Sequence, residues 1–430
     1  MRKDECMGRT FASLHYRSYR LWFVASLFAN VGTWMQRVAQ DWVVLTELTD
    51  NSGFAVGVTT ALQFLPTLLF GAAAGVLADR LDRRKLLIVT QSAMGVLALA
   101  MSLLLLSGLA ELWHLYVFAF LSGCVAAVDT PVRLVYISSL VPPNKLPNAV
   151  GLNSTSFNMA RLVGPAVAGI AVAAVGPGWV FLLNALTFAG PVAVMFMIRE
   201  TYVATSAKKP ERKGMFIQGF RYIKRRSDIV VIMAIAGVVS AFGLNFQMTT
   251  AIMARVQFHR GPEAYGLLTS AMAVGTLTGA LLAARRRYPR VRTVVVAALA
   301  FGVASGAAAL APGYWSFALL LIPTGLATLT MLTTANAAIQ MYTHPSMRGR
   351  VISIYQTVNM GATPIGAPIV GWVAQVWGPR WSIGIGSLAA VAVAVVMGAW
   401  AWHRWQVEVH LQKKRPFVSS YGPRERADDE

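Results

Sequence analysis

The sequence predicts an all-α membrane protein of twelve transmembrane helices, arranged as two six-helix pseudo-repeats. Three observations carry that expectation. Of 430 residues, 56% are hydrophobic and only 13% charged, with a mean hydropathy of +0.55, whereas a soluble chain carries about 25% charged residues. Apolar runs long enough to span a bilayer follow one another along the chain. Segments of the second half also repeat segments of the first at a nearly constant offset.

In chain order the expected spans are 21–45, 54–78, 86–107, 113–140, 148–174, 179–198, 229–254, 264–283, 293–311, 314–340, 351–376 and 381–402. The stretch before the first, MRKDECMGRTFASLHYRSYR, is too polar for a cleavable signal, so the chain is expected to keep its N-terminus. The resulting division is an N-terminal tail (1–20), a six-helix half (21–198), a linker (199–228), a second six-helix half (229–402) and a C-terminal tail (403–430). The linker ends in MFIQGFRYIKRR, which has the pattern of a short basic amphipathic helix on the membrane surface.

The net charge of +20 invites a nucleic-acid reading, but its placement argues otherwise. With the N-terminus inside, 32 of the 38 Lys and Arg fall in cytoplasmic tails and loops; only Arg255, Arg260 and Arg380 fall outside, and Arg37, Arg133 and Arg161 lie within spans. That asymmetry is the positive-inside pattern. It predicts a multi-pass protein of the bacterial inner (plasma) membrane with both termini cytoplasmic and no nucleic-acid partner. Cys6 and Cys124 have no disulfide or metal spacing. No nucleophile–base set, metal cluster or phosphate loop stands out, so neither an enzyme nor a cofactor is expected.

The repeat is visible in GPAVAGIAVAAVGPGW (164–179) and GAPIVGWVAQVWGPRW (366–381), offset by 202 residues, and in GAAAGVLADRLDRR and GTLTGALLAARRRY, offset by 204. Two such halves joined by a cytoplasmic loop are a transporter architecture, with the substrate site between them.

Two motifs then point to a family. GVLADRLDRRK contains Gly75, Asp79, Arg80, Arg83, Arg84 and Lys85 and resembles the loop signature of the major facilitator superfamily, with Asp82 in place of its usual glycine. The resemblance implies that Asp79 engages the start of the eleventh helix, near Gly349 and Arg350, and latches one conformation. The fifth-span phrase GLNSTSFNMARLVGPAVAG contains Gly151, Gly164, Pro165 and Gly169. It resembles the antiporter signature of that superfamily, with Ala160 and Ala168 replacing two glycines. The N-terminal phrase FASLHYRSYRLWFVASLFANVGTWMQRVAQDWVV, with LQFLP and AVDTPVR, resembles the branch containing enterobactin exporters and macrolide efflux proteins. The resemblance implies the major facilitator fold. It also implies export of a small organic molecule (a drug, siderophore or secondary metabolite) by proton-coupled antiport, with the proton gradient as energy source and a monomeric protein. Proton-coupled uptake by symport, or a non-transporting sensor or secretion-accessory role, are the alternatives.

The chemistry is expected at the charges inside the spans, where each costs several kcal/mol unless paired or functional. They are Arg37, Asp41, Asp129, Arg133 and Arg161, all in the first half. Arg37/Asp41 and Asp129/Arg133 each stand four apart on one helical face, where opposite charges pair. Arginine does not deprotonate, so Asp41 and Asp129 are the proton-coupling candidates and the three arginines their partners; Asp129 is expected to be locked by Arg133 and Arg161. The surplus of positive charge favours an anionic substrate. Candidate cavity residues are Trp34, Gln36, Gln40, Asn245, Gln247, Thr333 and Asn336. Trp42 is read as an interfacial anchor.

Overall fold

A computed structural model describes residues 11–198, 215–284 and 289–405, with the side chains of 72–80, 215–217, 284 and 405 excepted. The helices of the first half are α1 (Arg17–Thr46), α2 (Gly53–Arg80), α3 (Arg83–Leu106), α4 (Leu112–Leu140), α5 (Leu146–Val175) and α6 (Pro177–Met197). The linker helix α7 (Met215–Arg225) follows. The second half comprises α8 (Ser227–Val238), α9 (Phe246–Ile252), α10 (Pro262–Ala284), α11 (Val291–Ala309), α12 (Tyr314–Tyr342), α13 (Arg348–Gly361), α14 (Thr363–Trp377) and α15 (Pro379–Trp405). Two spans are composite. Between α8 and α9 the chain widens into a π-helical turn at Val239–Gly243, with another at Met253–Gln257 after α9. The eleventh span bends between α13 and α14, where Pro364 begins the second piece.

Among the described residues, ten segments are long and apolar enough to cross a membrane. α1 and the two-part α13–α14 complete the twelve. These two are diluted by function-type side chains: Asn30, Gln36, Arg37, Gln40 and Asp41 in α1, and Arg348, Arg350, Gln356 and Asn359 in α13.

Local chemistry explains the boundaries. Glu111 and His114 form a capping box that starts α4, closing backbone donors that would otherwise be bare at a helix end. Gly176 and Gly378, equivalent in the repeat, each turn the chain at positive φ (+85° and +99°) immediately before a helix-starting proline. A side chain resists that conformation and glycine does not, which explains the two Gly-Pro pairs. Asp82, the departure from the loop signature, has φ −61° and its carboxylate accepts the Lys85 amide at 3.0 Å. It is the N-cap of α3, so the loop uses a cap where the signature uses a glycine. The expected contact of Asp79 with the start of the eleventh helix, and the surroundings of Gly75 and Arg80, lie outside what is described of these residues.

Packing within each half is repetitive. α1 lies against α5 and α6, and α3 against α4 and α6; in the second half α10 and α11 pack on α12, and α11 on α15. The halves meet along two seams, α2 against α14 and α5 against α10. Both are cut for close backbone approach. A methyl group on Gly57 would stand 2.5 Å from the Ala367 carbonyl, and one on Gly371 2.3 Å from that of Gly53. On the other seam Gly169 faces the Pro262 carbonyl at 2.5 Å and Gly266 the Pro165 carbonyl at 2.3 Å. Small residues of this kind let helices touch where hydrophobicity supplies no drive.

With twelve spans, the first described span begins and the last ends on the same face of the bundle, here the terminal face; the other is the opposite face. The seam glycines sit in the opposite-face half, as do the cross-half hydrogen bonds Ser52–Gln375 (3.1 Å) and Arg255–Asn51 (3.3 Å). Among the described residues, the cross-half hydrogen bond nearest the terminal face, from the Ser270 hydroxyl to the Leu162 carbonyl at 2.8 Å, is near mid-depth. One turn farther toward the terminal face, Phe157 of α5 is 46% exposed. Among the described residues, the cross-half hydrogen bonds and the seam glycines thus lie between mid-depth and the opposite face.

Candidate functional site

The antiporter-type motif of α5 has a divided use. Gly164 admits α1, since a methyl there would lie 2.7 Å from the Trp34 Cβ. Gly169 and the Pro165 carbonyl build the seam with α10, whereas a methyl on Gly151 would meet nothing within 4 Å. The motif thus joins α1 to the first half and the first half to the second.

The five charged residues of the sequence-expected spans separate into two groups. Asp129, 4% exposed, is surrounded by donors. Arg133 binds one of its oxygens through Nη2 at 2.6 Å and Nε at 3.1 Å; the other oxygen accepts Thr90 Oγ1 at 2.8 Å and Gln91 Nε2 at 2.7 Å, both from α3. Arg133 also donates to Asn30 of α1 at 3.2 Å, and Asn30 donates to Ser156 of α5 at 3.4 Å. Four helices of the first half are tied at one fully bonded carboxylate. Arg161 takes no part in it, contrary to the expectation that it helps lock Asp129.

The second group is different. Asp41, 6% exposed, accepts a hydrogen bond from the Tyr265 hydroxyl at 3.0 Å. Tyr265 belongs to α10, so this contact crosses between the halves. Its ring, fully buried, lies nearly parallel to Trp42, with centroids 6.4 Å apart. Trp42 is thereby a buried member of the seam and not the interfacial anchor expected from its position. Arg37 and Asp41 do not form the ion pair that their spacing suggests: among the described residues the ion pairs are Arg133–Asp129 and Arg226–Asp228. The Arg37 guanidinium instead folds back over the Trp34 ring, 5.0 Å from its centroid and 6.0 Å from that of Phe64, and its buried Nε has no hydrogen-bond partner.

The remaining candidates are placed as follows. Gln36 accepts a hydrogen bond from Asn184 of α6. Gln40 is buried with its carbonyl oxygen unpartnered, and so is the carbonyl oxygen of Asn245, whose amide nitrogen donates to Ala241 at 2.7 Å beside the π turn. Gln247 is half-buried on α9, which packs on α1 and α2. Thr333 bonds back to the Leu329 carbonyl, and Asn336 accepts from Gln340. Sequence reasoning did not single out Tyr265, Thr90, Gln91, Asn30 or Asn184. The available signal was only that they are polar residues inside apolar runs.

The twelve spans thus meet as two halves along two close seams, with buried charges in the first half. The family described as transmembrane secretion effector matches residues 8–419. The chain belongs to that family of the major facilitator superfamily. It resembles the staphyloferrin A transporter of Staphylococcus aureus (strain NCTC 8325 / PS 47), with 23% identity covering 88% of this chain and 94% of the relative. It also resembles the multidrug efflux pump Tap of Mycolicibacterium fortuitum (24%; 82% and 88%) and macrolide efflux protein A of Streptococcus pyogenes (20%; 82% and 89%). Among solved structures, a POT-family transporter in complex with 5-aminolevulinic acid shares the fold at TM-score 0.71, with 12% identity over 89% of this chain and 96% of the other. A D-xylose–proton symporter does so at TM-score 0.66, with 14% identity over 90% and 94%. The chain is accordingly a multi-pass membrane transporter and not an enzyme.

Proposed function

We propose that this transporter exports a small organic molecule in exchange for protons, as a monomer in the bacterial inner membrane with its terminal face in the cytoplasm. The relatives named as efflux proteins support the direction. One observation carries the coupling: Asp41 is a buried carboxylate bonded across the seam to Tyr265. Opening the opposite face pulls α10 from α1, breaks that bond and brings outside water to Asp41. Closing it returns the group to a site where burying the neutral acid costs far less than burying the ion. Proton uptake from outside therefore favours closure. Asp129, with every oxygen engaged and its four helices inside one half, moves as a unit and serves as a structural tie. The gradient is the energy source, and no cofactor is needed.

The test uses inverted membrane vesicles with an acidic lumen and a pH-sensitive dye, and a panel of macrolides, catecholates and lipophilic cations. A substrate is expected to draw protons out of the lumen with the wild type and not with Asp41→Asn. Equal proton release by both would move the carrier elsewhere.

A further inference from the structure

Two arginines in the first half are left over by the network that binds the third. Asp129 is paired with Arg133 and Asp41 is bonded to Tyr265, so Arg37 and Arg161 have no ion-pair partner among the described residues. Arg37 has a buried Nε without an acceptor. Arg161 forms no hydrogen bond or ion pair among the described residues. An unpaired guanidinium at membrane depth is costly to maintain, and by default it marks a ligand or ion path.

The two belong to one place. Trp34 of α1 meets α5 at Phe157, with ring centroids 5.7 Å apart, and at Gly164. Those residues stand one turn before and one turn after Arg161, so the Trp34 contacts bracket it. The Arg37 guanidinium lies over the same Trp34 ring, so Arg37 and Arg161 both flank Trp34. The location lies one turn from the Ser270–Leu162 bond of the α5–α10 seam, beside the exposed Phe157.

Resting on the exporter reading, we infer that Arg37 and Arg161 form an anion subsite, which holds a carboxylate of the transported molecule while Trp34 and Phe157 face its flat apolar body. Guanidinium groups bind carboxylates with paired, charge-assisted hydrogen bonds, and a neutral amide of the same shape cannot supply the charge. The subsite also connects to the proton step: an anion seated on Arg37 competes with Asp41 for the field of that arginine.

The experiment is calorimetric titration of the purified full-length protein in detergent with 1-naphthoate and with its neutral counterpart 1-naphthamide. Naphthoate is expected to bind at least tenfold more tightly than naphthamide. Arg161→Gln and Arg37→Gln are each expected to weaken naphthoate at least tenfold, and Arg404→Gln, on the exposed terminal face, to leave it unchanged. Equal affinity for the two probes, no binding of naphthoate, or wild-type affinity in Arg161→Gln would overturn the subsite. If Arg37→Gln does not fold, the wild-type comparison and Arg161→Gln still decide. No gradient is involved, so naphthoate binding with silent vesicles would remove the exporter reading and leave the subsite standing.

Discussion

Adding one methyl group at Gly266 is expected to pry open the opposite face. The Cβ of Gly266→Ala would lie 2.3 Å from the Pro165 carbonyl oxygen, whereas ordinary contact begins at 3.4 Å, so α5 and α10 must part by about 1 Å. Overpacking of this kind costs about 1–3 kcal/mol. The cost falls on the closed arrangement alone, because the clash lies between the halves and vanishes once they separate. A bias of that size changes the ratio of the two states by about 5- to 150-fold. Spin labels at Leu109 and Leu310, exposed on opposite-face loops of the two halves, would report it by pulsed electron–electron double resonance as growth of a longer distance. Gly275→Ala is the control. Its Cβ would lie 1.9 Å from the Ile322 carbonyl, inside one half, so thermal stability should fall while the distance ratio stays. A Gly266→Ala distribution identical to wild type would refute the claim that this seam is the gate.

Other substitutions probe separate parts of the account. Tyr265→Phe removes one cross-half bond to a carboxylate, which is worth about 1.5–3 kcal/mol if charged, and should enlarge the same long-distance population at neutral pH. Asp129→Asn leaves the part-buried Arg133 (20% exposed) without its counter-ion; removing one partner of a fully buried pair costs about 3–5 kcal/mol and this one less, yet the unfolding temperature in detergent should drop clearly more than for Asp41→Asn. Asp82→Ala should cost about 1 kcal/mol of stability and Asp82→Gly only a few tenths, the pattern of a lost N-cap, measurable by denaturation of both variants side by side.

The sequence carried the fold because its signals are local or periodic. Span-length apolar runs and the Gly-Pro pairs at 176–177 and 378–379 need no knowledge of partners. Asp129 and Arg133 were equally legible, since helical spacing alone sets them face to face. The same rule misled at Arg37 and Asp41. Their spacing is identical, yet aromatic rings draw one away and a tyrosine 224 positions along the chain takes the other. Such a choice depends on how α1 meets α2, α5 and α10, which periodicity does not encode. Trp42 failed as an anchor for the same reason: its depth was readable, but the Tyr265 ring beside it was not. Asp82 shows the reverse case, in which a departure from a motif has a local chemical role of its own.

The central claim is that protonation of Asp41 and closure of the opposite face are one event. The most direct measurement is the Leu109–Leu310 distance distribution followed from pH 8 to pH 5 in wild type, Asp41→Asn and Asp129→Asn. Acid is expected to shift wild type and Asp129→Asn toward the short distance, while Asp41→Asn stays short across the range. A wild-type pH response in Asp41→Asn would contradict it.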